Sequence, residues 1–185
     1  MPRKAGRSPE ETRRALLDAA GSVIRTRGIS ASLDDIAKAA GVSKGGLLYH
    51  FPAKDALVRA LAQDILDTYR AEVQAALDPA DTAPGRLTRA YVRASLDTSY
   101  DEIAIRENIA LVAQLISIPE IAELARADAE RWNEELSEDG LPDHVVTLVI
   151  AAADGASTAP LWGVGLEVTA ARKLEQQLIE LTLNA

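Results

Sequence analysis

The chain has no cysteine among its 185 residues and only two histidines, His50 and His144. The first absence removes disulfides, thiolate nucleophiles and cysteine-ligated zinc together, and it suits a reducing compartment. With no Cys and only these two imidazoles, neither a histidine-rich metal site nor a His-based catalytic triad is easily assembled. No metal and no cofactor are expected. Asp and Glu pairs are plentiful, but no loop-borne constellation accompanies them, so the chain is not read as an enzyme. No run approaches the roughly 20 apolar residues that a membrane-crossing helix needs. Met1-Pro2-Arg3-Lys4 has no apolar stretch behind it of the kind a secretory signal carries. These absences together give the expectation of a cytoplasmic protein with no membrane partner.

Aromatics are also scarce: two Trp, four Tyr and one Phe. Ala and Leu fill the apolar share instead, which favours closely packed helices. The net charge of −8 argues against a nucleic-acid partner only until it is divided by position. Residues 1–51 carry +4 and residues 52–185 carry −12. A basic head on an acidic body can present one face to a phosphate backbone while the remainder is repelled from it.

Punctuation along the chain predicts helices throughout. Ser8-Pro9-Glu10-Glu11 combines a capping hydroxyl, a proline at the first helical position and acids at the positive end of the dipole. That helix ends at Gly28. A second runs from Ser32 to Gly41, and a third from Ser43 to Phe51-Pro52, because the residue before a proline is pushed out of the α region. Lys54 to about Leu77 reads as one long helix, with Leu57, Leu61, Ile65, Tyr69 and Val73 in a stripe. Five more are expected at about 85–99, 102–117, 120–138, 143–162 and 168–183. The fold class is all-α: a three-helix N-terminal domain over 1–54 and a helical body over 55–185.

The segment Leu33–Phe51 carries the functional reading. Two short helices crossing steeply need small residues where they touch, supplied by Ala37 and Ala40. They need a turn residue tolerant of positive φ, supplied by Gly41, and an apolar plug behind it, supplied by Val42. Ile36 and Leu47 can close a small core, and Ser43 caps a helix whose first residues can enter a major groove. The Asp35-Ile36-Ala37-x-x-Ala40-Gly41-Val42-Ser43 run, the Tyr49-His50-Phe51 end and Lys54 resemble the DNA-binding domain of the TetR family of bacterial repressors. The resemblance covers residues 9–58. It implies a helix-turn-helix, a double-stranded DNA operator, a homodimer and a small-molecule effector held by the body.

The same resemblance implies roles. Ser32 matches a phosphate-binding hydroxyl; Ser43, Tyr49 and His50 match positions that clamp the backbone; Lys54 matches a phosphate-binding lysine. Lys44 lies where the family reads bases, and a lysine can bond guanine O6 and N7. Gly46 stands where a contacting side chain such as Thr is common, and Leu48 replaces a frequent Tyr. Gly45 and Gly46 let the backbone approach DNA closely, so shape readout and a basic arm of Arg3, Lys4 and Arg7 gain weight.

In the body, Tyr91, Asp97, Tyr100, Asp101, Asn108, Trp132 and Trp162 are candidates to line a cavity. Asp97 and Asp101, four apart, would share a helix face and favour a cationic or lipophilic ligand. Leu148, Ala152, Gly155 and Ala159 on one helix, with Leu174, Leu178 and Leu181 on the last, suit the four-helix pairing that the resemblance implies. Two other readings stay open: a ligand-independent or architectural DNA-binding protein, and an activator of the same fold.

Overall fold

The computed structural model describes residues 7–98 and 102–185. Among these there are nine α-helices, one short 3-10 helix and no strand. In order they are α1 (Pro9–Arg27), α2 (Leu33–Ala40), α3 (Lys44–His50), α4 (Lys54–Ala75), α5 (Arg86–Ser95), α6 (Glu102–Leu115), α7 (Pro119–Ser137), α8 (Asp143–Thr158) and α9 (Val168–Leu183). The 3-10 turn Ala159–Trp162 follows α8. The chain forms two compact units. One holds the residues up to Asp64 with Leu111–Ala122; the other holds Ile65–Ala110 and Glu123–Ala185.

Three serines set the starts of α1, α2 and α3. Each accepts a hydrogen bond on its hydroxyl oxygen from the third helical N–H, those of Glu11, Asp35 and Gly46. Glu11 and Asp35 return the contact to the capping N–H, closing capping boxes of the kind worth about 1 kcal/mol each. Behind these starts Leu16, Ile24, Ile36, Leu47 and Leu57 are fully buried. Phe51 is buried too, with the Arg13 guanidinium over its ring at 4.6 Å.

In the second unit the apolar core forms in two patches. Val73, Ala90, Tyr91, Trp132 and Leu136 make one, and Val92, Leu96, Val149, Ala153 and Leu178 make the other. The first turn of α5 carries a buried cation. Arg89 is 1% exposed and binds both oxygens of Asp81 at 2.7 Å. It also donates to the carbonyls of Ala83 and Pro84 and to the Thr182 hydroxyl. That arginine holds the Asp81 carboxyl below the usual carboxylate range. It fastens the loop before α5 to the last turn of α9.

The start of α5 has no cap of its own. Its N-cap is Gly85, in the left-handed region at φ 85. Asp139, more than 50 residues away, accepts from the N–H groups of Leu87 and Thr88 and from the Thr88 hydroxyl. Its carbonyl also accepts from the Gly85 N–H at 2.6 Å. A Cβ on Gly85 would meet Leu141 at 2.6 Å and Arg89 at 2.9 Å.

Four sequence expectations change. The predicted helix over 143–162 is α-helical only to Thr158, because Pro160 has no N–H to continue it. The helix expected over 85–99 ends at Ser95, where Asp97, Thr98 and Ser99, short polar residues that favour caps and turns, follow. Asp97 therefore lies beyond α5 and outside any helix, while Asp101 is outside the described residues. Asp143–Trp162 is also long and apolar enough, by length and composition alone, to cross a membrane, with only 17% of that span buried. Scattered Thr, Ser and Asp154 break the continuous apolar run but leave the span apolar on average.

Asp139→Ala should cost about 1–2 kcal/mol through loss of the α5 cap. Gly85→Ala should cost at least as much through the clash and the positive φ. Urea unfolding followed by helical circular dichroism measures both.

Candidate functional site

The first candidate site is the α2–α3 pair. Gly41 adopts φ 69, and its N–H reaches the carbonyls of Ala37 and Lys38. Val42 donates to Ala37 at 3.0 Å. This tight turn stops α2 and lets Ser43 restart the chain as α3, leaving Lys44, Gly45, Leu48 and Tyr49 exposed. Tyr49 is 83% exposed and meets the His50 ring edge-on at 5.2 Å. A Cβ at Gly46 would sit 3.3 Å from the Ser43 hydroxyl oxygen, so a glycine there leaves the cap unstrained.

The predicted contact residues differ in how free they are. Ser43 accepts a backbone N–H through its oxygen, and a hydroxyl can still donate its proton. Ser32 is more occupied: it donates to Asp35 at 2.6 Å while accepting the Asp35 N–H. The Ser32 hydroxyl and backbone, with a smaller contribution from the ion pair with Arg27, hold Asp35 below its ordinary range. The Lys44 ammonium is paired with Asp34 at 2.9 Å. Lys54 donates to the Ile29 carbonyl at 2.5 Å, tying the start of α4 to the α1–α2 connection. Arg7 donates to the Ala40 carbonyl at the end of α2, so the arm is anchored there. Arg3 and Lys4 lie outside the described residues.

The second candidate is a cavity of about 610 Å³ within the second unit, a volume suited to a drug-sized ligand. Tyr91, Asp97 and Asn108 line it, as sequence reasoning expected. So do Tyr69 and the apolar Leu96, Ile105, Ile109, Leu166 and Val168. Glu72, Asp154 and Glu167 add carboxylates, while no Lys, Arg or His is among the described lining residues. Tyr91 donates to Asp154 at 2.8 Å, and Tyr69 shares a hydrogen bond with Ser95 at 2.7 Å. Burial pushes both phenols up, most strongly Tyr91. Although Asp154 as a residue is exposed, packing around its carboxyl pushes it up, partly offset by the Tyr91 hydroxyl.

Trp132 and Trp162 do not line the cavity. Trp132 is 8% exposed and packs edge-to-face on Tyr69 and Tyr91, with the Arg70 guanidinium 4.2 Å above its ring. It supports the aromatic wall rather than forming it. Trp162 sits in the 3-10 turn, 77% exposed. Asp101 and Tyr100 are outside the described residues. Asp154, whose partner is 63 residues distant, was missed; only its isolation in an apolar helix could have drawn notice.

The pairing candidates also separate. Leu148, Gly155 and Leu181 are exposed, whereas Ala152, Ala159 and Leu174 are half-buried. Leu178 is withdrawn from that face: it is 4% exposed and packs against the second core patch.

Residues 16–61 match the family described as "Bacterial regulatory proteins, tetR family", and residues 85–183 match "Tetracyclin repressor-like, C-terminal domain". The regulator RutR of Escherichia coli is 37% identical over 53% of this chain, and the chain spans about half of that relative's length, 46%. The repressor LfrR of Mycolicibacterium smegmatis is 32% identical over 82% of this chain and 93% of its own. A solved transcriptional regulator from Rhodococcus sp. Rha1 superposes with a TM-score of 0.70 at 25% identity, covering 96% of this chain and 97% of that one. The chain thus belongs to the TetR family of bacterial regulatory proteins.

Proposed function

We propose that the chain is a homodimeric repressor that leaves a palindromic operator when a cationic or lipophilic small molecule occupies the second-unit cavity. The observation that carries the effector half of this reading is the cavity itself: aromatic and apolar walls with several carboxylates and no basic residue among the described lining residues. Domain limits of 1–54 for operator binding and 55–185 for effector binding and pairing belong to the same reading. The cytoplasm is its expected compartment.

The exposed end of α3 supports the operator half. Lys44 reads a base edge, exchanging Asp34 for DNA, while Gly45 and Gly46 bring the helix start close. Ser43, Tyr49, His50 and Lys54 hold phosphates, with Ser32 joining them only if its hydroxyl turns from Asp35. Arg7 anchors the arm, and Arg3 extends it. Pairing uses the outward faces of α8 and α9. Leu148, Ala151 and Gly155 recur at helical spacing on α8, and this apolar span is little buried in the single chain. On α9, exposed Lys173 and Glu180 come opposite one another when two copies cross antiparallel near Gln177, a self-complementary arrangement suited to a twofold axis. Such a dimer sets two recognition helices about 34–36 Å apart, one DNA turn. The effector acts by preferring a spacing that DNA does not, a coupling of typically about 1–3 kcal/mol.

Mobility shifts over a range of salt test the contact roles. Lys54→Ala should weaken binding to all sequences about equally and make the slope of log affinity against log salt shallower by about 0.9. Lys44→Ala should in addition relax preference at one base pair, at a cost of about 1–3 kcal/mol on the preferred sequence. Equal loss across sequences for both variants would remove the base-reading role of Lys44. Leu148→Arg, at a position exposed in the single chain, should yield a folded monomer in sedimentation that has lost operator affinity. A dimer that still binds would contradict the α8 pairing face.

A further inference from the structure

We propose that Asp154 is the residue by which the cavity selects the charge of its ligand, its carboxylate serving as counter-ion to an organic monocation with an apolar body. This rests on the reading that the cavity holds the effector. Asp154 is the sole charged residue in the stretch Val145–Ala159, where an isolated carboxylate is costly without a partner. Tyr91 supplies half of one. Its hydroxyl donates to Oδ1 at 2.8 Å, and among the described residues no group donates to Oδ2. The hydrogen bond fixes the carboxylate's direction, and the second oxygen keeps its acceptor sites for an arriving cation.

The surroundings favour the same ligand. Tyr91 stands edge-to-face with Tyr69 at 5.5 Å, and both rings line the cavity, giving π surfaces for a cation as well as apolar area. Among the second unit's guanidiniums, Arg70 is engaged by Asp128 and Glu135 and Arg89 by Asp81, and no arginine is among the described lining residues. Arg106 donates to the Pro160 carbonyl and is not a lining residue. Packing around the carboxyl lowers the local dielectric, which strengthens an ion pair made there relative to one in water. Tyr91 is a positioning residue for this contact.

Three probes of similar shape and different charge separate the possibilities: tetraphenylphosphonium, neutral triphenylphosphine oxide and tetraphenylborate. Their binding to the full chain is measured by calorimetry, with circular dichroism confirming that each variant is folded. The cation should bind about tenfold or more tightly than the neutral compound, and the anion most weakly. Asp154→Asn, nearly the same shape, should weaken the cation about tenfold and leave the neutral compound within about twofold. Tyr91→Phe should weaken the cation less, in the same direction. If Asp154→Asn weakens cation and neutral compound alike, the residue only supports the wall and the proposal fails. It fails also if the neutral or anionic probe binds the unaltered chain as tightly as the cation, though the cavity would then stand as a ligand site. Binding of none of the three would overturn the effector-cavity reading together with the inference.

Discussion

The turn at Gly41 is the constraint on which the DNA-facing geometry depends. A left-handed residue there ends α2 in two hydrogen bonds and returns the chain within three residues to a new helix start. With an L side chain the same φ is strained, and α2 and α3 would be held at a different angle. Everything downstream follows from that angle. Ile36 and Leu47 are both fully buried, and the short helix of Lys44–His50 is left with its first turn largely in water. The exposed groups are those that a phosphate backbone and a base edge can use, so the net charge of −8 does not stand against the proposed DNA role.

A comparable role in the second unit falls to polar groups taken out of water. Arg89 is surrounded by five acceptor contacts from Asp81, Ala83, Pro84 and Thr182. Removing one partner of so buried a pair typically costs about 3–5 kcal/mol. Asp139 caps the same helix from a distance. Both contacts fix α5, and α5 carries Tyr91, which orients Asp154 across the cavity. The physical chain therefore runs from a buried arginine, through a capped helix, to the Tyr91–Asp154 contact in the cavity wall.

What was legible in the sequence was what local rules decide. The serine caps, Gly28, Gly41 and Pro52 mark their helix ends through contacts three or four residues away, so α1, α2 and α3 fall where their punctuation predicts. Tyr91, Asp97 and Asn108 line the cavity, although Asp97 lies beyond the helix that its sequence expectation needs. The failures share a cause. Leu178 and Trp132 were placed by periodicity and residue type, but which way they turn depends on the partner helix across the core. Asp139 and Asp154 act through partners 52 and 63 residues away, beyond the reach of any spacing rule. Lys44 looked simply available, yet it is paired with Asp34 on the neighbouring helix. Pro160 is a local signal as well: one missing N–H turns the end of a long apolar helix into a 3-10 turn.

In the function proposed above, two copies of this chain read a symmetric DNA sequence together. Selection of bound duplexes from a random pool by the purified full chain, followed by sequencing, tests it most directly. The account predicts enrichment of one inverted repeat whose half-site centres lie about 10–10.5 base pairs, or a multiple of that, apart. Enrichment of no sequence at all, with retention that only falls as salt rises, would contradict it and identify the chain as a sequence-blind DNA binder.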